Sequence, residues 1–227
     1  MTEKEQNINP WYFRQVFMAI FMLLALMLCY IGISQLFLFD TYPTAYIVTT
    51  QIIFYLFSFI SVFYFAIYKK HNSMRQFLGT KDCLKQIIRG FFVFALIILT
   101  TTFIDRLSEL LCGIESSDVY NGFDKWHLKF LAFIGIFFAP IAEEVFFRGF
   151  VQPVFVQRFG KIFGVIGVCL LFALLHVLYI NNISALLGII SVGLILSITK
   201  EVTNSLIPCI VAHFLNNLLA VWIMFFT

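Results

Sequence analysis

Charge is scarce in this 227-residue chain: only 12% of its residues are Asp, Glu, Lys or Arg, about half the share found in an average soluble protein. So little charge cannot cover a water-facing surface, which excludes a soluble nucleic-acid-binding domain and a disordered chain. The net charge of +3 is read as membrane topology rather than affinity for nucleic acid. Cysteine is sparse too. Cys29, Cys83, Cys112, Cys169 and Cys209 are odd in number, show no C-x-x-C spacing and fall mostly in apolar runs, so they read as free thiols rather than a disulfide framework. The chain also lacks an H-E-x-x-H metalloprotease motif, an internal repeat and a low-complexity linker.

What is present is apolar. Residues A, V, I, L, M, F, W, Y and C make up 61% of the chain, with 30 phenylalanines, and the mean hydropathy is +0.95. Lipid is the solvent that such a composition requires. A membrane-crossing helix needs about 20 apolar residues, and the runs place spans near 14–38, 45–68, 87–111, 128–156, 162–180, 183–198 and 206–226. The expected fold is therefore all-α: a polytopic membrane helix bundle of about seven transmembrane helices, with the chemistry in the last four. Residues 1–127 are expected to form the first three spans, and residues 128–227 a catalytic bundle. The first run is too long for a signal-peptide core and is read as an uncleaved anchor.

Lys and Arg gather on the cytoplasmic side of membrane proteins. With the N-terminus inside, twelve basic residues fall in inner segments and only Arg106, Lys125 and Lys129 in outer ones. The expected localisation is a cell membrane, with a cytoplasmic N-terminus and an external C-terminus. Alternating basic and apolar residues over 74–89 suggest a helix lying along the cytoplasmic face. The four-apart small pairs Gly160 and Gly164, Ser184 and Gly188, and Gly193 and Ser197 suggest close helix approach.

A charge at the bilayer centre costs about 2.5–3.5 kcal/mol, so each ionisable residue inside a span needs a reason. The fourth span holds Glu143, Glu144 and Arg148, the fifth His176, and the seventh His213 with Asn217. Residues four apart share a helix face, which pairs Glu144 with Arg148, Phe172 with His176, and His213 with Asn217. Glu143 lies 17 residues before Gly160 and His176 lies 16 after it. At about 1.5 Å per residue they reach the same depth on antiparallel helices. Asn217 can approach that depth from the turn near Thr203. Pro140 and Pro153 remove backbone donors from the fourth span and are expected to kink it, opening a hydrated pocket.

Such a cluster can hydrolyse an amide. A glutamate serves as general base toward water, a histidine opposite shares or orients the proton, and an imidazole and carboxamide donate hydrogen bonds to the developing oxyanion. No serine or cysteine nucleophile is needed.

The three motifs, Glu143-Glu144-x-x-x-Arg148, Phe172-x-x-x-His176 and His213-x-x-x-Asn217, together resemble the signature of the CPBP intramembrane proteases. That family includes the CAAX prenyl endoproteases and bacterial proteins linked to bacteriocin processing and immunity. The resemblance covers residues 128–226. It implies that Glu143 activates water with help from His176, that His213 and Asn217 form the oxyanion site, and that Glu144 and Arg148 organise the pocket. Phe172 is expected to be packing. The implied substrate is a hydrophobic or lipidated peptide or protein in the membrane, cleaved without a cofactor. Two rival readings remain: Zn2+ held by Glu143, His176 and His213, and a non-catalytic immunity or transport protein.

Overall fold

The computed structural model describes residues 13–37, 43–68, 73–112, 125–176 and 183–226. Among these residues the structure is helical throughout, without a strand. The chain runs through α1 (Phe13–Phe37), α2 (Pro43–Val62) with a π-helical continuation Phe63–Tyr68, α3 (Met74–Leu78) and α4 (Cys83–Cys112). It continues through α5 (Lys125–Phe137), α6 (Ala139–Glu143), a π-helical segment Glu144–Val151, α7 (Gln152–Phe159), α8 (Lys161–His176), α9 (Ile183–Thr203) and α10 (Ile207–Phe226).

Among the described residues, five helical stretches are long and apolar enough to cross a bilayer, and a sixth is formed if α5 and the helix from Ala139 to Phe159 count as one bent span. Long faces of α1, α2 and α4 leave Phe21, Leu56, Phe92, Leu99 and Phe103 largely exposed. In water these faces would be untenable as a set; against acyl chains they are ordinary. The protein is a multi-pass helical membrane bundle. α8 has only 16 residues, about 24 Å of helix against a hydrocarbon core of about 30 Å. The remainder of the span expected over 162–180 lies outside the described residues.

The fourth span is not one helix. Pro140, near the start of α6, has no N–H for the Ile136 carbonyl, and the axis bends by 43° where α5 gives way to the helix from Ala139. Below it the chain widens into the π-helix, whose end is marked by the Gln152 N–H reaching the Phe147 carbonyl five residues back. Such wide turns are rare and concentrate at functional sites. Pro153, which would clash with the Gly149 carbonyl in a regular helix, follows directly. Every residue from Glu144 to Val151 is buried. Phe146, Phe147 and Phe150 pack into the core with Phe54 and Phe65 of the α2 arm, so this segment is the axis of the bundle.

The stretch 74–89 is broken rather than a single interfacial helix. Ser73 and Gln76 form a capping box at the start of α3, and Gly79 ends it at φ 66°. A Cβ on Gly79 would lie 2.5 Å from the Asn204 carbonyl oxygen, so this left-handed stop also seats α3 against the turn between α9 and α10. The Leu206 N–H donates to the Leu78 carbonyl at 2.9 Å. Phe77 inserts beneath the π-segment: a Cβ on Gly149 would lie 2.6 Å from Phe77 Cζ and 3.0 Å from Leu206 Cδ1. Gly149→Ala is therefore expected to destabilise the protein by about 1–3 kcal/mol through overpacking, with partial recovery in the Gly149→Ala/Phe77→Leu double variant. Thermal unfolding in detergent reads both; a wild-type melting temperature for the single variant would contradict this packing.

The small residues bring helices close at Gly164 and at Gly193, where a Cβ would lie 3.3 Å from Cys169 Sγ and Phe172 Cδ1, but not at Gly160 or Gly188. Gly160 is the turn itself, with nothing near its Cβ position, whereas a Cβ on Gly164 would lie 2.6 Å from the Val156 backbone. Gly188 has open space beside it. α9 also runs five residues past the expected end at 198, to Thr203. The polar residues of that extra turn find partners, since Glu201 accepts from Gln152 at 2.9 Å and the Lys200 ammonium donates to Asn204 at 3.2 Å.

Candidate active site

Glu143 ends α6 and Glu144 begins the π-segment, so the break in the fourth span sets the directions of the two carboxylates. Both are buried, and Glu144 is completely enclosed. Arg148 is likewise fully enclosed. Its Nη1 donates to Glu144 Oε1 at 3.0 Å and its Nη2 to the Gly193 carbonyl at 3.1 Å, while the guanidinium carbon sits 4.4 Å from the Phe172 ring centroid. A buried cation so held has a carboxylate, a carbonyl and a π-face to replace water.

His213, on α10, places Nδ1 2.9 Å from Glu144 Oε1. The carboxylate accepts, so Nδ1 carries the hydrogen. Glu144 thus bridges Arg148 and His213, a contact that the four-residue spacing alone did not disclose. His176, the last residue of α8, donates through Nδ1 to the Phe172 carbonyl at 2.8 Å. Phe172 consequently does more than pack, because its carbonyl turns His176 and its ring lies under Arg148.

With both Nδ1 atoms engaged, both imidazoles turn Nε2 toward the same atom. His176 Nε2 lies 3.8 Å and His213 Nε2 3.9 Å from Glu143 Oε2. These separations are too long for direct hydrogen bonds. Glu143 Oε2 is buried without a hydrogen-bond partner in the protein. A water about 2.8 Å from it can reach either imidazole, and a contact of this length is where a bridging water belongs. The near-equal residue counts on either side of Gly160 match this shared depth of Glu143 and His176.

Asn217 is placed one turn beyond His213 on the same face of α10, but its described hydrogen bond goes elsewhere. Its amide donates to the Gly135 carbonyl at 2.9 Å, one of the final carbonyls of α5, which lack helical partners at the break. One N–H of the carboxamide is thereby used in tying α10 to α5, and one is left for other acceptors.

Sequence reasoning missed four participants: Gly193, Gln152, Ser197 and Glu201. Gln152 is fully enclosed and its Nε2 donates to the Ser197 carbonyl and to Glu201 Oε1, both at 2.9 Å. The available signal was spacing, since Gln152 lies four residues beyond Arg148 and eight beyond Glu144. Among the described residues no group of three His, Cys, Asp or Glu side chains is arranged to hold a metal ion.

Residues 125–219 match the family described as Type II CAAX prenyl endopeptidase Rce1-like. No curated protein and no solved structure matches the chain.

Proposed function

We propose, from the Rce1-like domain that this chain carries at residues 125–219, that the protein is a glutamate-dependent intramembrane endopeptidase acting on hydrophobic or lipidated peptides. The observation that carries the reading is the convergence of two imidazole Nε2 atoms on one unpartnered, buried carboxylate oxygen of Glu143. In this reaction Glu143 takes a proton from water held against His176, and the resulting hydroxide attacks the peptide carbonyl. His213 and the second amide N–H of Asn217 then face the oxyanion and stabilise it. The proton held by Glu143 finally passes to the leaving amine.

Residues 128–227 supply this chemistry, and the helices of 1–127 support it. α4 packs along α9 and α10, and α2 along the π-segment. The end of the bundle bearing α3, Gly160 and the α9–α10 turn collects Arg75, Lys81, Lys85, Arg89, Arg158, Lys161 and Lys200. Under the positive-inside tendency this collection supports a cytoplasmic N-terminus and an external C-terminus in a cell membrane.

Processing of lipidated C-termini, maturation of a peptide pheromone or bacteriocin, and bacteriocin self-immunity all fit this chemistry. Comparative peptidomics of membranes from cells with wild-type chain and with an inactive variant identifies the substrate directly. Purified protein is expected to keep its peptidase activity after treatment with a zinc chelator; loss that added zinc restores would assign a metalloprotease mechanism instead. Protection of cells from a bacteriocin by Glu143→Ala at wild-type level would assign a non-catalytic immunity role.

A further inference from the structure

The chemistry proposed above leaves unused a cleft between α4 and α9 at the basic end of the bundle. Its walls are Phe92 and Val93 of α4 and Ile198 and Val202 of α9, with Arg89, Thr199 and Thr203 completing the lining. Its volume is about 290 Å³, roughly ten times the share of one water in the liquid, so it has room for a length of chain. The cleft opens where close packing ends. Further along the same two helices Ile97 and Leu196 are fully buried in one cluster. On another side α4 lies hard against α10, since a Cβ on Gly90 would lie 2.6 Å from Val211 Cβ. Closing the cleft would pull α4 off α10.

Polarity in the cleft is graded along the helices. Thr199 and Thr203 donate their hydroxyl hydrogens to the Ile195 and Thr199 carbonyls at 2.8 and 2.7 Å, which leaves Arg89 as the lining side chain with hydrogens to give. Arg89 is half-buried, its stem lying along the apolar wall as long cationic side chains do. Its Nη1 donates to Gln86 Oε1 at 3.2 Å, a neutral partner, and among the described residues Arg89 forms no ion pair. Lys85, four residues earlier, shares its helix face and is exposed. Glu201, the acid of the neighbouring turn of α9, is engaged by Gln152 of α7. Two cations without a counter-ion thus stand at the end of a membrane span, directly above an apolar slot.

This gradient selects the occupant. A second helix, about 10 Å across, is too wide for the slot, and an extended peptide would bring backbone amides that its walls cannot satisfy. An acyl chain needs no hydrogen bonds, and a phosphate is the anion that a guanidinium binds best. Past the cleft, the exposed Leu96 and Leu194 continue the apolar track toward the middle of the span. We infer that the cleft binds an anionic glycerophospholipid of the surrounding leaflet, with its phosphate against Arg89 and Lys85 and one acyl chain between α4 and α9. The lipid braces the helix whose Gly193 and Ser197 carbonyls receive Arg148 and Gln152. The site stands independently of the proteolytic reading.

Photocross-linking of the purified full-length protein tests it. Phosphatidylglycerol and phosphatidylcholine with the same diazirine-bearing acyl chain are supplied in detergent, and adducts are mapped by mass spectrometry. The ratio of phosphatidylglycerol to phosphatidylcholine adducts over 92–93 and 198–203 is expected to exceed that at Phe21 and Leu56, on the exposed faces of α1 and α2, by roughly fivefold or more, the usual gain per basic residue at an anionic surface. Arg89→Gln should lower the cleft ratio to the reference value, whereas Arg158→Gln, at the same end on α7, should leave it unchanged. Equal ratios at the cleft and the reference faces would overturn the site without recourse to any variant, and so would a full ratio in folded Arg89→Gln. In thermal unfolding, phosphatidylglycerol at about ten times its Kd should raise the melting temperature by about 3–5 °C, and phosphatidylcholine or inorganic phosphate should not. An equal shift with inorganic phosphate alone would assign a soluble anion and overturn the lipid.

Discussion

Glu143→Gln is expected to reduce peptide cleavage by on the order of 10²–10⁴-fold, the usual contribution of a positioned general base. The substitution keeps the volume and planarity of the side chain and removes its capacity to take a proton from water. Glu143 makes no ion pair with Arg148; its Oε2 faces two imidazoles at 3.8 and 3.9 Å, so a neutral amide there leaves the Glu144, Arg148 and His213 bridge intact. Membrane insertion and thermal stability should consequently match wild type, which separates loss of chemistry from loss of fold. The check is turnover of a lipidated peptide by purified protein alongside its unfolding temperature. Wild-type turnover in Glu143→Gln would remove glutamate catalysis from consideration. Asn217→Ala belongs to the same series, with a strong but smaller loss expected if its free amide N–H binds the oxyanion.

The largest effect on stability should come from Arg148→Ala. Removing one member of a buried ion pair costs about 3–5 kcal/mol because the remaining charge stays enclosed without compensation. Here Glu144 would keep only the His213 contact, and the Gly193 carbonyl would lose its donor. The guanidinium also covers the Phe172 ring, so Arg148→Lys should recover only part of the loss, a point charge being unable to reproduce the fork or the stacking. Replacing both partners, as in Glu144→Gln/Arg148→Met, should be less damaging than Arg148→Ala alone, since no unpaired charge then remains in the interior. Thermal unfolding in detergent across the three variants gives the order. Equal stability of Arg148→Ala and wild type would show that the pair is not the keystone of the π-segment.

The class of the molecule was legible in composition because transfer of apolar groups out of water is additive along the chain: runs of Phe, Leu and Ile announce lipid-facing helices wherever they occur. The partners Glu144 and Arg148 were legible for a related reason, as helical spacing is local and holds before any tertiary contact forms. Counting residues from Gly160 placed Glu143 and His176 at one depth, because rise per residue varies little.

Other features depended on azimuth and on backbone groups, which spacing does not encode. The π-helix after Glu143 rotates the residues beyond it, so the face offered by Arg148 and Gln152 to α9 follows from a widened turn that only the packing of Pro140, Pro153 and the Phe77 plug reveals. His213 reaches Glu144 from a helix 69 residues away, and Gly193, Ser197 and Gly135 accept from Arg148, Gln152 and Asn217 through backbone carbonyls, which every residue possesses and no sequence pattern marks. Composition and local spacing thus determined a membrane helix bundle with Glu143 and His176 at a common depth and Asn217 approaching it. Tertiary structure decided which carboxylate each imidazole meets and where the remaining polar atoms are satisfied, because hydrogen bonds are directional and fail within a few tenths of an ångström.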